Sequence, residues 1–145
     1  MRIALIQTPW SGASHRAYKG IARRYALYPP LGLMCLAAAA EEAGHEADVI
    51  DCEVEDIPFH SLVQRLRDTK TEIIGITATS PVFHIAEALA EGLRKEVGIP
   101  IVVGGPHVNV LLEKAFSEVF DYAVIQEGEA TLVELLDTLE AKGNP

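Results

Sequence analysis

The chain is 145 residues long, 49% hydrophobic and 23% charged, and 12 Lys+Arg against 21 Asp+Glu give it a formal charge of −9. This is the composition of one globular domain, which excludes disorder, and a domain of this size buries roughly 68–70% of its unfolded surface without staples. No apolar run approaches the ~20 residues that span a bilayer, and the opening Met1-Arg2-Ile3-Ala4-Leu5-Ile6-Gln7 is too short for a signal peptide. Cys35 and Cys52 are too few for a disulfide framework or a four-thiolate metal site. The expectation is a cytoplasmic protein with reduced thiols, no membrane partner and, given its acidic balance, no nucleic-acid partner.

The first element is the apolar run Ile3–Ile6, rich in β-branched residues. Residues 8 to 30 follow, with Arg16, Lys19, Arg23 and Arg24 and no acid, so the rest of the chain carries −13 once these four charges are removed from −9. A stretch that long without clear periodicity is either a solvated excursion or a functional lid or docking segment for an anionic ligand or partner. Leu31 to Ala43 is a Leu/Ala-rich helix, punctuated by Pro29-Pro30 before it and Gly44 after it. A second strand runs Ala47–Ile50, and His60 to Arg67 places Leu62, Val63 and Leu66 on one helical face. The third strand is Ile73–Ile76, and Val82 to Val97 repeats Ile85, Leu89 and Leu93 as a helix ending at Gly98. Strand four is Ile101–Val103, followed by a helix over Val110 to Phe120. Strand five is Tyr122–Ile125, and Thr131 to Leu139 closes the series with Leu132, Leu135, Leu136 and Leu139.

Continuous apolar runs suit strands buried on both faces, as in a parallel sheet. Alternation with helices predicts an α/β, doubly wound, five-stranded flavodoxin-like (Rossmann-like) sheet of order 2-1-3-4-5. In such sheets ligands bind at the carboxyl ends of the strands beside the switch point, here the loops after strands 1, 3, 4 and 5.

Those loops hold the unusual residues. After strand 1 come Gln7, Thr8 and Pro9 and then the basic stretch, closing on Tyr28, Pro29, Pro30, Leu31 and Gly32. Thr77, Thr79 and Ser80 after strand 3 offer three hydroxyls, either to cap a helix with Pro81 at its first position or to bind a ligand. Gly104 and Gly105, followed by Pro106 and His107, make a tight turn after strand 4 or let a ligand approach the backbone. Glu127, Gly128 and Glu129 after strand 5 favour the dipole of the last helix or meet a ligand. No G-x-G-x-x-G and no P-loop occurs. Gln7, Thr8 and Thr77 stand where a phosphoacceptor receiver needs acids, no short flavin phosphate cradle follows strand 1, and there is no G-x-S-x-G elbow. Histidines 15, 45, 60, 84 and 107 lack metal-ligand spacing; His45, His60 and His84 read as surface or helix-end residues, and His15 and His107 as ligand contacts or bystanders.

Pro29-Pro30-Leu31-Gly32, Glu42-Ala43-Gly44-His45 before a strand reaching Asp51, Gly75-Ile76-Thr77, Gly104-Gly105-Pro106-His107, and Asp121-Tyr122 leading to Glu127-Gly128-Glu129 occur in that order. With this series the whole chain resembles the cobalamin-binding domain of B12-dependent radical SAM enzymes, closest to magnesium-protoporphyrin IX monomethyl ester oxidative cyclases. B12 domains in general carry Asp-x-His-x-x-Gly, whose His ligates cobalt, then Ser-x-Leu and a glycine pair. Here Thr77-Ala78-Thr79 stands for Ser-x-Leu, while Pro30-Leu31-Gly32-Leu33-Met34-Cys35 holds neither Asp nor His at the place of the ligand motif.

The resemblance implies cobalamin as cofactor, bound base-off without a histidine ligand. Thr77, Thr79 and Ser80 would bond its nucleotide tail and Gly104 and Gly105 would let the tail pass. Thr8, Pro9, Tyr28, Pro29, Pro30, Leu31 and Gly32 would lie near or under the corrin, and Pro106, His107, Glu127, Gly128 and Glu129 would line the rim. Two cysteines cannot supply the Cys-x3-Cys-x2-Cys of a radical SAM cluster. SAM and a 4Fe–4S cluster are therefore expected only in a missing barrel, the partner of this domain, with residues 1–142 as the cobalamin-binding-like domain and 143–145 as the start of a linker. Without its barrel the domain is not catalytic, and the reaction type stays open among methyl transfer, ring contraction and oxidative cyclisation. The alternative is a flavodoxin-like docking or regulatory module that has lost the cofactor.

Overall fold

A computed structural model describes residues 1–9 and 28–142. The basic residues Arg16, Lys19, Arg23 and Arg24, His15, and the linker at 143–145 lie outside the described residues. The elements are β1 (Arg2–Gln7), α1 (Leu31–Glu42), β2 (Glu46–Asp51), α2 (Cys52–Glu55), α3 (Phe59–Asp68), β3 (Ile73–Thr77), α4 (Phe83–Glu96), β4 (Ile101–Gly104), α5 (Pro106–Leu111), β5 (Tyr122–Ala123) and α6 (Gly128–Ala141). All pairings are parallel and the strand order is β2-β1-β3-β4-β5, the expected doubly wound sheet.

Alternation along the strands divides the core into two. Ala4, Ile6, Ile74, Ile76 and Val103 pack with Leu62, Val63 and Leu66 of α3 and with Ala86, Ala90 and Leu93 of α4. Ile3, Leu5, Ile73 and Val102 pack on the other face with Leu33, Ala37 and Ala40 of α1 and with Leu132, Leu136 and Leu139 of α6. The expected alternation of strand and helix follows from this: α1, α3, α4 and α6 each bury one stripe on one face of a sheet that has no free face.

Several local expectations are corrected. The helix expected over Val110–Phe120 starts earlier, at Pro106, and ends at Leu111, where Leu112 takes φ +53 and a 3-10 turn follows over Leu112–Ala115. Val110, Leu111, Leu112 and Phe116 are exposed, so their apolar pattern has no core to face. Strand β5 is two residues long, although Val124 still donates to the Val103 carbonyl at 2.9 Å. The short α2 escaped the periodicity because it is a single turn, capped by Asp51 Oδ1 accepting from the backbone N–H groups of Glu53 and Val54. His45 is at a helix end, as expected, but it is buried rather than on the surface. His60 and His84 are exposed.

The edge strand β2 is covered from the side. Arg65 of α3 grips Asp48 of β2 with two bonds, Nε to Oδ2 at 2.9 Å and Nη2 to Oδ1 at 2.8 Å, and reaches Glu55 at 2.6 Å. The bond to Asp48 raises the guanidinium's pKa, so this clamp stays charged.

Candidate functional site

The strand ends form one row. Register pairs Gln7 with Thr77 and Thr77 with Gly104, so β1, β3 and β4 stop at the same level. Above that row, on the face of α1 and α6, opens a cleft of about 380 Å³.

Its floor exists because of one glycine. On this face β3 presents Ile73 and then Gly75; a Cβ at Gly75 would lie 2.7 Å from Leu5 Cδ2 and 3.7 Å from Val102 Cγ1. The missing side chain leaves an apolar trough between Leu5, Val102 and Leu132, walled by Leu33 and Leu36 of α1. A largely apolar pocket with a few placed polar groups is the usual form of a small-molecule site.

The lip is made of backbone. Gly105 has φ +102 and ψ −175, a region open in practice only to glycine. A Cβ there would fall 2.5 Å from Thr77 Oγ1 and 3.1 Å from the Ala78 carbonyl. Two backbone bonds at 3.3 Å latch the two loops together, Ala78 N–H to Gly104 O and His107 N–H to Ala78 O. Gly128 opens the far side, where a Cβ would meet Leu36 Cδ2 at 2.9 Å.

Most of the sequence-selected residues converge here. Pro30, Leu31, Gly32, Thr77, Thr79, Gly104, Gly105, Pro106, Glu127, Gly128 and Glu129 all line the cleft. Thr8 does not: it is fully buried, and its hydroxyl donates to the Thr77 carbonyl at 2.7 Å, tying the ends of β1 and β3 together. Tyr28 and Pro29 line a separate, wider depression of about 640 Å³ with Met34, Val49 and Val54, which shares only Pro30 with the cleft. Ser80 and His107 pair with each other beside the cleft, Nδ1 to Oγ at 3.0 Å, and the imidazole stacks on Phe83 at 3.9 Å between centroids. Pro9 is half-buried and outside the lining.

The hydroxyls after β3 do not cap α4. Thr79 stands before a 3-10 turn over Ser80–Val82 that contains Pro81, makes no side-chain cap, and α4 itself starts at Phe83. Thr79 Oγ1 is buried without a hydrogen-bond partner. A buried hydroxyl left unpaired costs about 1–3 kcal/mol, a cost that a ligand bond would remove.

Three contributors were not assigned to the site from the sequence. Gly75 entered only as part of the motif Gly75-Ile76-Thr77, inside an apolar run. Gln126 lines the cleft with φ +66, and its backbone N–H donates to Asn109 Oδ1 at 2.7 Å. Asn109 on α5 therefore holds the turn that delivers Glu127 and Gly128. No local pattern marks this bond, since it joins a side chain on α5 to a backbone donor in a loop distant in sequence. No histidine is among the described residues lining the cleft.

Comparison with known proteins gives a consistent result. The family model for the B12 binding domain matches residues 19–136. An uncharacterized methyltransferase of Pyrococcus horikoshii is 33% identical over 96% of this chain, and an anaerobic magnesium-protoporphyrin IX monomethyl ester cyclase of Cereibacter sphaeroides is 28% identical over 79%. The chain spans only 29% and 19% of the lengths of these two relatives. Among solved structures, the radical S-adenosylmethionine methyltransferase TsrM of Kitasatospora setae, with cobalamin and a 4Fe–4S cluster bound, superposes with a TM-score of 0.76 at 16% identity. That match covers 97% of this chain and 26% of TsrM and concerns the fold. With the family model matched over most of its length, the chain belongs to the B12-binding domain family.

Proposed function

We propose that this chain is the cobalamin-binding domain of a radical SAM enzyme of methyltransferase or oxidative-cyclase type, and that cobalamin binds in the cleft above β1, β3 and β4. The observation that carries this reading is a cleft floored by Gly75, lipped by Gly104 and Gly105, and lined by Thr79, whose hydroxyl has no partner. These features fit a long ligand with an apolar tail and several polar groups. Thr79 and Thr77 supply hydrogen bonds to the nucleotide tail, the glycine lip passes it close to backbone, and Leu5, Val102 and Leu132 exclude water around it. Pro30, Leu31 and Gly32 pack beneath the ring, and Glu127 and Glu129 at the start of α6 accept from its amides.

Binding base-off without a histidine ligand goes with Pro30-Leu31-Gly32-Leu33-Met34-Cys35, which carries neither Asp nor His. When bound, cobalamin supplies the cobalt-centred chemistry, and the protein supplies position and a dry environment. SAM and the 4Fe–4S cluster are assigned to a barrel outside this chain. No helix among the described residues is long and apolar enough to cross a membrane, and a cytoplasmic location goes with the reading.

The test is direct. Purified protein is mixed with hydroxocobalamin, freed of unbound ligand by desalting, and its visible spectrum recorded. A retained corrin spectrum near one equivalent per chain is expected. No retained corrin, even after loading at millimolar ligand, would overturn the proposal in favour of a docking module.

A further inference from the structure

At the end of the sheet opposite the cleft, three side chains from distant parts of the chain meet. His45 lies between α1 and β2, and Asp137 and Glu140 lie one helical turn apart near the end of α6. One donor atom from each lies within 4.8 Å of the others. We propose that His45, Asp137 and Glu140 bind a divalent cation of the Zn2+ class, which clips the end of α6 to the α1–β2 corner.

The imidazole is what distinguishes this cluster from a solvated acidic patch. His45 is only 5% exposed, and its Nε2 is buried without a hydrogen-bond partner. Asp137 Oδ1 stands 3.2 Å from that nitrogen without forming a hydrogen bond to it. Two donors each ~2.1 Å from a tetrahedral Zn2+ are separated by about 3.4 Å, so this pair is already at coordination spacing. Glu140 completes the set: Oε2 lies 3.9 Å from the other ring nitrogen, and an exposed carboxylate reaches a shared ion by rotating its own side chain.

Charge favours the same occupant. The two carboxylates face one cation among the described groups, the Met1 α-ammonium, 2.8 Å from Glu140 Oε1 and 3.1 Å from His45 Nδ1. The cluster thus holds one negative charge in excess before the imidazole is counted. One nitrogen and two carboxylate oxygens suit Zn2+, Co2+ or Ni2+ better than Ca2+ or Mg2+, which prefer all-oxygen sets. The ligands come from residues 45, 137 and 140, and the site is independent of the cofactor cleft.

The test uses the whole chain and CoCl2 or ZnCl2 alone as the probe. Expected are one equivalent of Co2+ with the intense visible bands of a tetrahedral ion, and a Tm that rises with Zn2+ and returns with EDTA. Asp137→Asn and Glu140→Gln change exposed positions and should each weaken binding on the order of tenfold or more. Measuring every Tm in EDTA as well separates loss of the Glu140–ammonium pair from loss of metal. Absence of binding at millimolar metal, binding unchanged in both variants, or a thiolate charge-transfer band pointing to Cys35 would each overturn the site.

Discussion

Replacing Gly105 by alanine isolates the lip of the cleft. At φ +102 and ψ −175 an L-residue is strained, at a cost of about 1–3 kcal/mol. The added Cβ also meets Thr77 Oγ1 at 2.5 Å and the Ala78 carbonyl and nitrogen at 3.1 and 3.3 Å. The hydroxyl can swing aside, but the backbone of Ala78 is held by its bonds to Gly104 and His107, so overpacking adds about another 1 kcal/mol. The sum is a loss of about 2–4 kcal/mol from a typical total of about 5–15, or a Tm lowered by about 6–15 °C in a domain of this size. The neighbouring Gly104→Ala is the control: its φ is not positive, and its Cβ would make only ordinary contact, 3.5 Å from the Val124 carbonyl. Its stability should stay within about 0.5 kcal/mol of the parent. Urea melts followed by circular dichroism measure both, with constant m confirming the same transition. A Gly105→Ala protein melting within about 2 °C of the parent, or a Gly104→Ala protein equally weakened, would refute the strain argument.

Thr79→Val removes the unpaired hydroxyl, so Tm should hold or rise by a few degrees while retained hydroxocobalamin falls; a clear loss of stability would show that the hydroxyl is already satisfied. Asn109→Ala frees the Gln126 N–H and should weaken corrin retention several-fold, with Asn109→Asp restoring it because the acceptor returns; equal retention by all three proteins would dismiss the positioning role. Cys35 is exposed, whereas burial, then the charges of Glu55 and Asp51, push the Cys52 thiol up to about 12. One thiol per chain should therefore react fast with a disulfide reagent at pH 8 and the second only on unfolding. The same shift makes the folded state hold its Cys52 proton while the unfolded chain loses it, so stability should decline as pH rises from about 9 toward 12. A melt independent of pH across that window would contradict it.

The strand order and the loops that make the cleft were readable because long-range order in this fold is written in short-range patterns. Continuous β-branched runs mark buried parallel strands, right-handed crossovers restrict their order, and the switch point then names the loops. What escaped depends on pairing across the fold. Gly75 reads as one small residue in an apolar run until the register with Leu5 and Val102 shows that it empties the cleft floor. Thr8 sits among loop residues in sequence, yet its hydroxyl is spent on the Thr77 carbonyl. Val110, Leu111, Leu112 and Phe116 carry a helical apolar pattern that faces no core, so chain geometry at Leu112 ends the helix instead. His45 looks like a helix-end surface residue because its burial comes from α6, almost a hundred positions away.

The level row Gln7–Thr77–Gly104 has a consequence for how the chain tolerates changes of length. Each strand residue advances about 3.3 Å and reverses the face its side chain serves. One residue inserted within β3 would lift Thr77 and Thr79 past the glycine lip and turn the gap left by Gly75 toward α3 and α4. The trough would close although every helix and strand could still form. An insertion of the same size between α3 and β3, at the far end of the sheet, would leave the row untouched. Length is therefore fixed inside the strands and free in the loops at the opposite end, and the cleft acts as a gauge of strand register.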